Sequence, residues 1–93
     1  MTSRSPFVLK IFVWGASPSE QVAVCNLRNV CEHHFRGNYV LDVVDVQHHP
    51  ELAARERILA TPTVVQSSPQ SGRRLVGDFD DEDRVVAELQ AGE

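Results

Sequence analysis

Residues 7 to 14 read FVLKIFVW, a run of apolar side chains interrupted only by Lys10. Apolar residues occupy both phases of the strand alternation, so each face of this strand needs a cover. That pattern belongs to a strand inside a mostly parallel sheet with helices packed on its faces. The next residues, GASPSE, carry the signals of a helix start: Ser17 as the cap, Pro18 at the first helical position and Glu20 three residues after the cap, a capping box. Val24, Leu27, Cys31 and Phe35 recur at helical spacing with Ala23 and Val30 beside them, and Gly37 follows the basic-leaning end of the helix. This stripe is expected to face the sheet.

A second strand is predicted over Tyr39 to Val46, YVLDVVDV, where Asp42 and Asp45 are the charged positions. Pro50 opens a short helix, PELAARERI, with Leu52 and Ile58 available for packing. Pro62 precedes a third strand, TVVQ, and the turn-rich SSPQSGRR connects it to a fourth, RLVGDF, so these two read as a hairpin. The segment Asp80 to Gln90 places acids in a first helical turn and Val85, Val86 and Leu89 on one side, which marks a last helix. The order β-α-β-α-β-β-α is that of the thioredoxin arrangement, an α/β fold with a four-stranded mixed sheet and three helices. In such folds the strand before the final hairpin is entered through a cis proline, and Thr61-Pro62 stands there. An ordinary trans proline at a strand start is the alternative.

The 93 residues make one domain, 1–93, too small to enclose a cleft between domains, so function is expected on its surface or at strand ends. Nine Lys and Arg against 13 Asp and Glu give a formal charge of −4, a poor match for nucleic acid or anionic membrane. No apolar run approaches the roughly 20 residues that a bilayer span needs. MTSRSP leads into the first strand with no signal-peptide core, so a cytoplasmic chain is expected. Cys25 and Cys31 form no disulfide framework, and six residues apart on one helix they point in different directions.

Thioredoxin chemistry needs Cys-x-x-Cys where the first strand meets the first helix, and GASPSE stands there instead. Cys25 and Cys31 are therefore expected to be packed, inert thiols without redox function. Cys31 and His34 have the i, i+3 spacing of two metal ligands, but adjacent histidines, His33-His34 and His48-His49, point apart on a helix and no third ligand is fixed. Solvated histidines and no metal are expected. The acidic run DFDDED from Asp78 to Asp83 lacks the Gly and the distal Glu of an EF-hand and is read as charging a helix N-terminus. No Gly-rich phosphate loop, HExxH or Ser-His-Asp signature is present, and no cofactor is expected.

The segments LKIFVWGASPS, FRGNYVLDVVDVQHHPELAARERILATPTVV and RRLVGDFDDEDRV closely resemble the circadian clock KaiB family, with similar words in the same order over about residues 7 to 89. The KaiB-like N-terminal domain of the SasA kinase is a more distant match. The resemblance implies a non-enzymatic adaptor that binds the ATPase ring of a KaiC-type protein. It also implies a possible metamorphic alternative, a tetrameric ground-state fold with a different C-terminal half.

Departures from the family pattern bear on that switch. Gly72 in SPQSGRR supplies a hairpin turn where the family has a proline cluster. Glu88 replaces a glycine, a change worth about 0.5–1 kcal/mol in a helix. The sequence also closes at Gly92 and Glu93, short of the family's usual tail. All three favour the thioredoxin-like state. The partner surface implied by the resemblance includes Lys10, Val40, Asp42 and Arg57, beside an exposed sheet edge. Asp42 and His48 stand where the family has basic residues, which opens the way to a paralogous KaiC-type partner or a role in stress adaptation. Self-association into a homo-oligomer is left open beside that partner, and a thioredoxin-fold thiol oxidoreductase using Cys25 or Cys31 and a sensor domain of a histidine kinase pathway are the competing readings.

Overall fold

The structure is a computed structural model that describes residues 6–69 and 71–90. Residues 1–5, Gln70 and residues 91–93 lie outside it, and with them the N-terminal segment and the Gly92-Glu93 tail on which expectations rest. In chain order the elements are β1 (Phe7–Val13), α1 (Pro18–His34), β2 (Tyr39–Asp45), α2 (Pro50–Arg55), β3 (Thr63–Ser68), β4 (Arg73–Val76) and α3 (Glu82–Gln90). They form a four-stranded sheet in the order β2-β1-β3-β4. β1 pairs with β2 in parallel, and β3 pairs antiparallel with both β1 and β4.

The two phases of β1 fill two cores. Phe7, Leu9, Ile11 and Val13 join Val24, Leu27, Val30 and Cys31 of α1, Val64, Leu75, and Val85 and Leu89 of α3 in the larger cluster. Phe35 belongs to it although it has left the helix, and its ring stacks on Phe7 with centroids 3.9 Å apart. On the opposite face Phe12 packs with Val44, Val46 and Val65 under Leu52, Ala53 and Ile58. One short helix is the cover there.

Several local expectations are corrected. α2 ends at Arg55 and not Ile58. The reason is Arg57, which takes a left-handed backbone, φ 56°, and so stops a helix. α3 begins at Glu82 and not Asp80. There the Asp81 carboxylate accepts the N–H of Arg84 at 3.2 Å, and this bond caps the helix. The capping box at α1 does not form. Ser17 makes no side-chain cap bond, its hydroxyl lying 3.1 Å from that of Ser19, and Glu20 turns elsewhere. Cys25 is exposed, not packed, whereas Cys31 is buried. His33 and His34 do not point apart either: Nδ1 of His33 and Nε2 of His34 lie 3.2 and 2.7 Å from one oxygen of Glu82, joining α1 to α3. Among the described residues no three His, Cys, Asp or Glu side chains are disposed to hold a metal ion.

Candidate partner-binding surface

Strand register decides which side chains share a face. Lys10 is the partner of Asp42 across β1 and β2 and of Val65 across β1 and β3, and Val8 is the partner of Val40. By the two-residue alternation these lie on the face that carries Phe12 and Val44. α2 covers the Phe12 end, so the Val8 end is left open, with Val40 48% exposed and Asp42 exposed. Lys10 is half-buried between Asp42 and Val65, yet no ion pair closes between Lys10 and Asp42. The result is a shallow apolar patch carrying one charge of each sign along the β2 edge, whose outer backbone groups have no neighbouring strand among the described residues.

The fourth implied residue stands apart. Arg57 is exposed on the turn after α2, next to Glu56, whose carboxylate lies 3.7 Å from Arg74 on β4. The structure therefore brings Lys10, Val40 and Asp42 together and sets Arg57 at the far end of α2. Gly72 occupies the β3–β4 turn with φ 88°, donating its N–H to the Gln66 carbonyl at 3.0 Å. A side chain there would meet open space but strained backbone. Glu88 is an exposed residue of α3. The Thr61–Pro62 peptide is cis, as is Ser68–Pro69, and the Pro62 carbonyl accepts the N–H of Gly77 at 3.2 Å.

At the C-terminal rim of the sheet two carboxylates tie loops together. Glu20 Oε1 accepts the main-chain N–H of Trp14 at 2.6 Å, and its Oε2 accepts the Thr61 hydroxyl at 2.9 Å. Asp45 Oδ1 accepts the N–H groups of Gly15 at 3.0 Å and Gln47 at 2.9 Å, while Oδ2 meets His48 Nδ1 at 3.0 Å. Only glycine suits position 15 without strain. Gly15 has φ +61°, and a Cβ there would lie 2.7 Å from the Gln47 side-chain oxygen. Around these ties the exposed Trp14 and Leu59 border an apolar groove of about 330 Å³. The resemblance does not mark this rim. Its signals were local ones: a Trp just past β1, and Leu59 in an apolar word that leads into a proline turn.

The carboxylates give the fold an acid limit. The N–H bonds from Gln47, then Gly15, hold the Asp45 carboxyl below its ordinary range, and His33, then His34, do the same for Glu82. A depressed folded value adds stability above the unfolded value, about 4, that is lost as pH falls through the folded one. Asp45→Asn and Glu82→Gln together are expected to lower the urea midpoint at pH 6 and to flatten its decline between about pH 4 and pH 2. Urea melts of both chains across that range check this.

The family model of the KaiB domain matches residues 10–91. The chain belongs to the KaiB family. It is 43% identical over 89 residues to the circadian clock oscillator protein KaiB of Parasynechococcus marenigrum, covering 96% of this chain and 86% of that one. The KaiB of Prochlorococcus marinus strain MIT 9303 is 42% identical over 89 residues, 96% and 75% of the two chains. Among solved structures, the N-terminal domain of Synechococcus elongatus SasA superposes with a TM-score of 0.79 at 23% identity, over 100% of this chain and 90% of that one. The germline-specific thioredoxin Deadhead of Drosophila melanogaster follows at 0.74 and 14% identity, covering 96% and 83%. These likenesses fix the fold as thioredoxin-like.

On this KaiB-family fold the start of α1 is Pro18-Ser19-Glu20, with both thiols further along the helix. Burial pushes the Cys31 thiol up to about 12, so it is neither ionised nor reachable near neutral pH. In the native state a maleimide is expected to modify Cys25 alone, with Cys31 reacting after denaturant is added. Mass spectrometry of the labelled chain counts the adducts.

Proposed function

We propose that this KaiB-family chain is a non-enzymatic clock or stress adaptor, working in the cytoplasm, that binds the ATPase ring of a KaiC-type protein. The observation that supports this reading most is the bare half of the sheet face, where Val40, with Lys10 and Asp42 that pair with no charge among the described residues, borders an edge with no neighbouring strand among them. Edge backbone groups and alternate side chains can then receive a partner without any reactive group. Arg57 adds positive charge at the end of α2. The acidic Asp42 in the middle of the face favours a partner that offers a cation there, a paralogue rather than a ring that expects a base at this place.

Size-exclusion chromatography with a KaiC-type ATPase, with and without nucleotide, tests the proposal. Comigration of the wild-type chain, lost by more than about tenfold in affinity in Val40→Asp, is the expected result. No comigration under any nucleotide condition sinks it.

A further inference from the structure

The groove at the C-terminal rim lies beyond the face just described. Its walls are Trp14, Val46, Ala53, Ile58, Leu59 and Thr61, and its floor continues the smaller core cluster, to which Val46, Ala53 and Ile58 also belong. Leu59 is 97% exposed and Trp14 56% exposed. Two large apolar side chains that line the hollow therefore stand in water.

Charge and backbone around the hollow indicate what fits it. The nearby carboxylates are engaged: Glu20 by Trp14 and Thr61, Asp45 by Gly15 and Gln47, Glu51 by His49 at 3.5 Å, and Glu56 by Arg74 at 3.7 Å. Arg57, which directly precedes the lining residue Ile58, has no acidic partner among the described residues, nor has Arg55. Arg57 therefore stands at the lip as a cation with no carboxylate partner among the described residues, in a chain that carries −4 as a whole. The main-chain N–H groups of Leu59 and Ala60 donate to nothing among the described residues. These two N–H groups are open to carbonyl acceptors from outside the described residues.

We propose that this groove is a second docking site, taking an extended segment of a protein partner that seats one large apolar side chain between Trp14 and Leu59. An acidic side chain of the same segment meets Arg57, and a backbone carbonyl of the segment takes the N–H of Leu59 or of Ala60. The inference rests on the chain being a binding module, not on the identity of the ATPase.

Trp14 is the single tryptophan of the chain and reports on the site directly. The probe is a displayed library of random decapeptides selected on the folded chain. Enriched peptides are expected to pair a large apolar residue with a neighbouring Asp or Glu and to shift the Trp14 emission. Their affinity should fall about tenfold or more in Leu59→Ser, whose side chain supports no core, and in Arg57→Glu, with far-UV circular dichroism confirming both folds. It should be unchanged in Val40→Asp, which alters the sheet face but not the rim. Failure to enrich any peptide, or peptides that bind Leu59→Ser as tightly as wild type, overturns the proposal. Neither result bears on ATPase binding through Val40, so the two readings fail separately.

Discussion

Phe12→Ala is expected to lower the free energy of unfolding by about 3–5 kcal/mol and to release α2 before the rest of the fold. Phe12 is fully buried and is the largest side chain of the smaller core, where it meets Val44, Val46 and Val65 beneath Leu52, Ala53 and Ile58. α2 has six residues, none of them fully buried, and no side-chain bond caps its start. A helix that short does not persist without tertiary support. Removing the ring takes away the surface on which α2 rests, and the residues around it are too few to close the gap.

A comparison makes the claim specific. Leu27→Ala in the larger cluster should cost about 2–5 kcal/mol, but its loss falls on α1 and the sheet. Urea denaturation gives the two stabilities, and amide exchange locates them. Faster exchange in α2, out of proportion to the global loss, is expected for Phe12→Ala and not for Leu27→Ala. A loss below about 1 kcal/mol for Phe12→Ala, well short of the usual range for a buried aromatic, would contradict the view that one ring supports the whole of that layer. The groove and Arg57 both depend on α2, so this variant should weaken binding at the rim as well.

How much of this was legible in the sequence depends on the range of the interactions. Periodicity within a segment identified all seven elements, and the stripe Ala23, Val24, Leu27, Val30, Cys31 is buried as expected. The exposure of Cys25 runs against the expectation of a packed thiol although the same periodicity carries it: at about 100° per residue it stands roughly 160° from the centre of that stripe. Helix ends were less so, because Arg57 ends α2 through a left-handed backbone that non-glycine residues seldom adopt. Pairs such as His33 and His34 with Glu82, far apart in the chain, left no mark in the local pattern. Lys10, Val40 and Asp42 came from a family resemblance, and strand register places them side by side; Arg57 lies outside that group.

Glu20→Ala is expected to destabilise the chain by about 2–4 kcal/mol, far more than loss of a helix cap, because its carboxylate holds three elements together. S-x-x-E at residues 17 to 20 reads as a capping box, in which Glu20 would return to the Ser17 N–H. It instead reaches Trp14 at the end of β1 and Thr61 before β3, the latter 41 residues away. Both are charge-assisted bonds, worth about 1.5–3 kcal/mol where water is partly excluded, as at Thr61, and less at the exposed Trp14 N–H. Glu20→Gln separates the charge from the geometry, since an amide oxygen can keep one bond while its NH₂ faces the other partner. That variant should recover part of the stability, most of it if the Thr61 hydroxyl turns to accept. The spectroscopic consequence is local: with its main-chain N–H released, Trp14 should gain freedom, seen as lower fluorescence anisotropy in Glu20→Ala and an intermediate value in Glu20→Gln. Equal stability of wild type and Glu20→Ala would show that the rim is held by the apolar contacts of Ile58 and Val46 alone, and the loop ties would then be incidental to the shape of the groove.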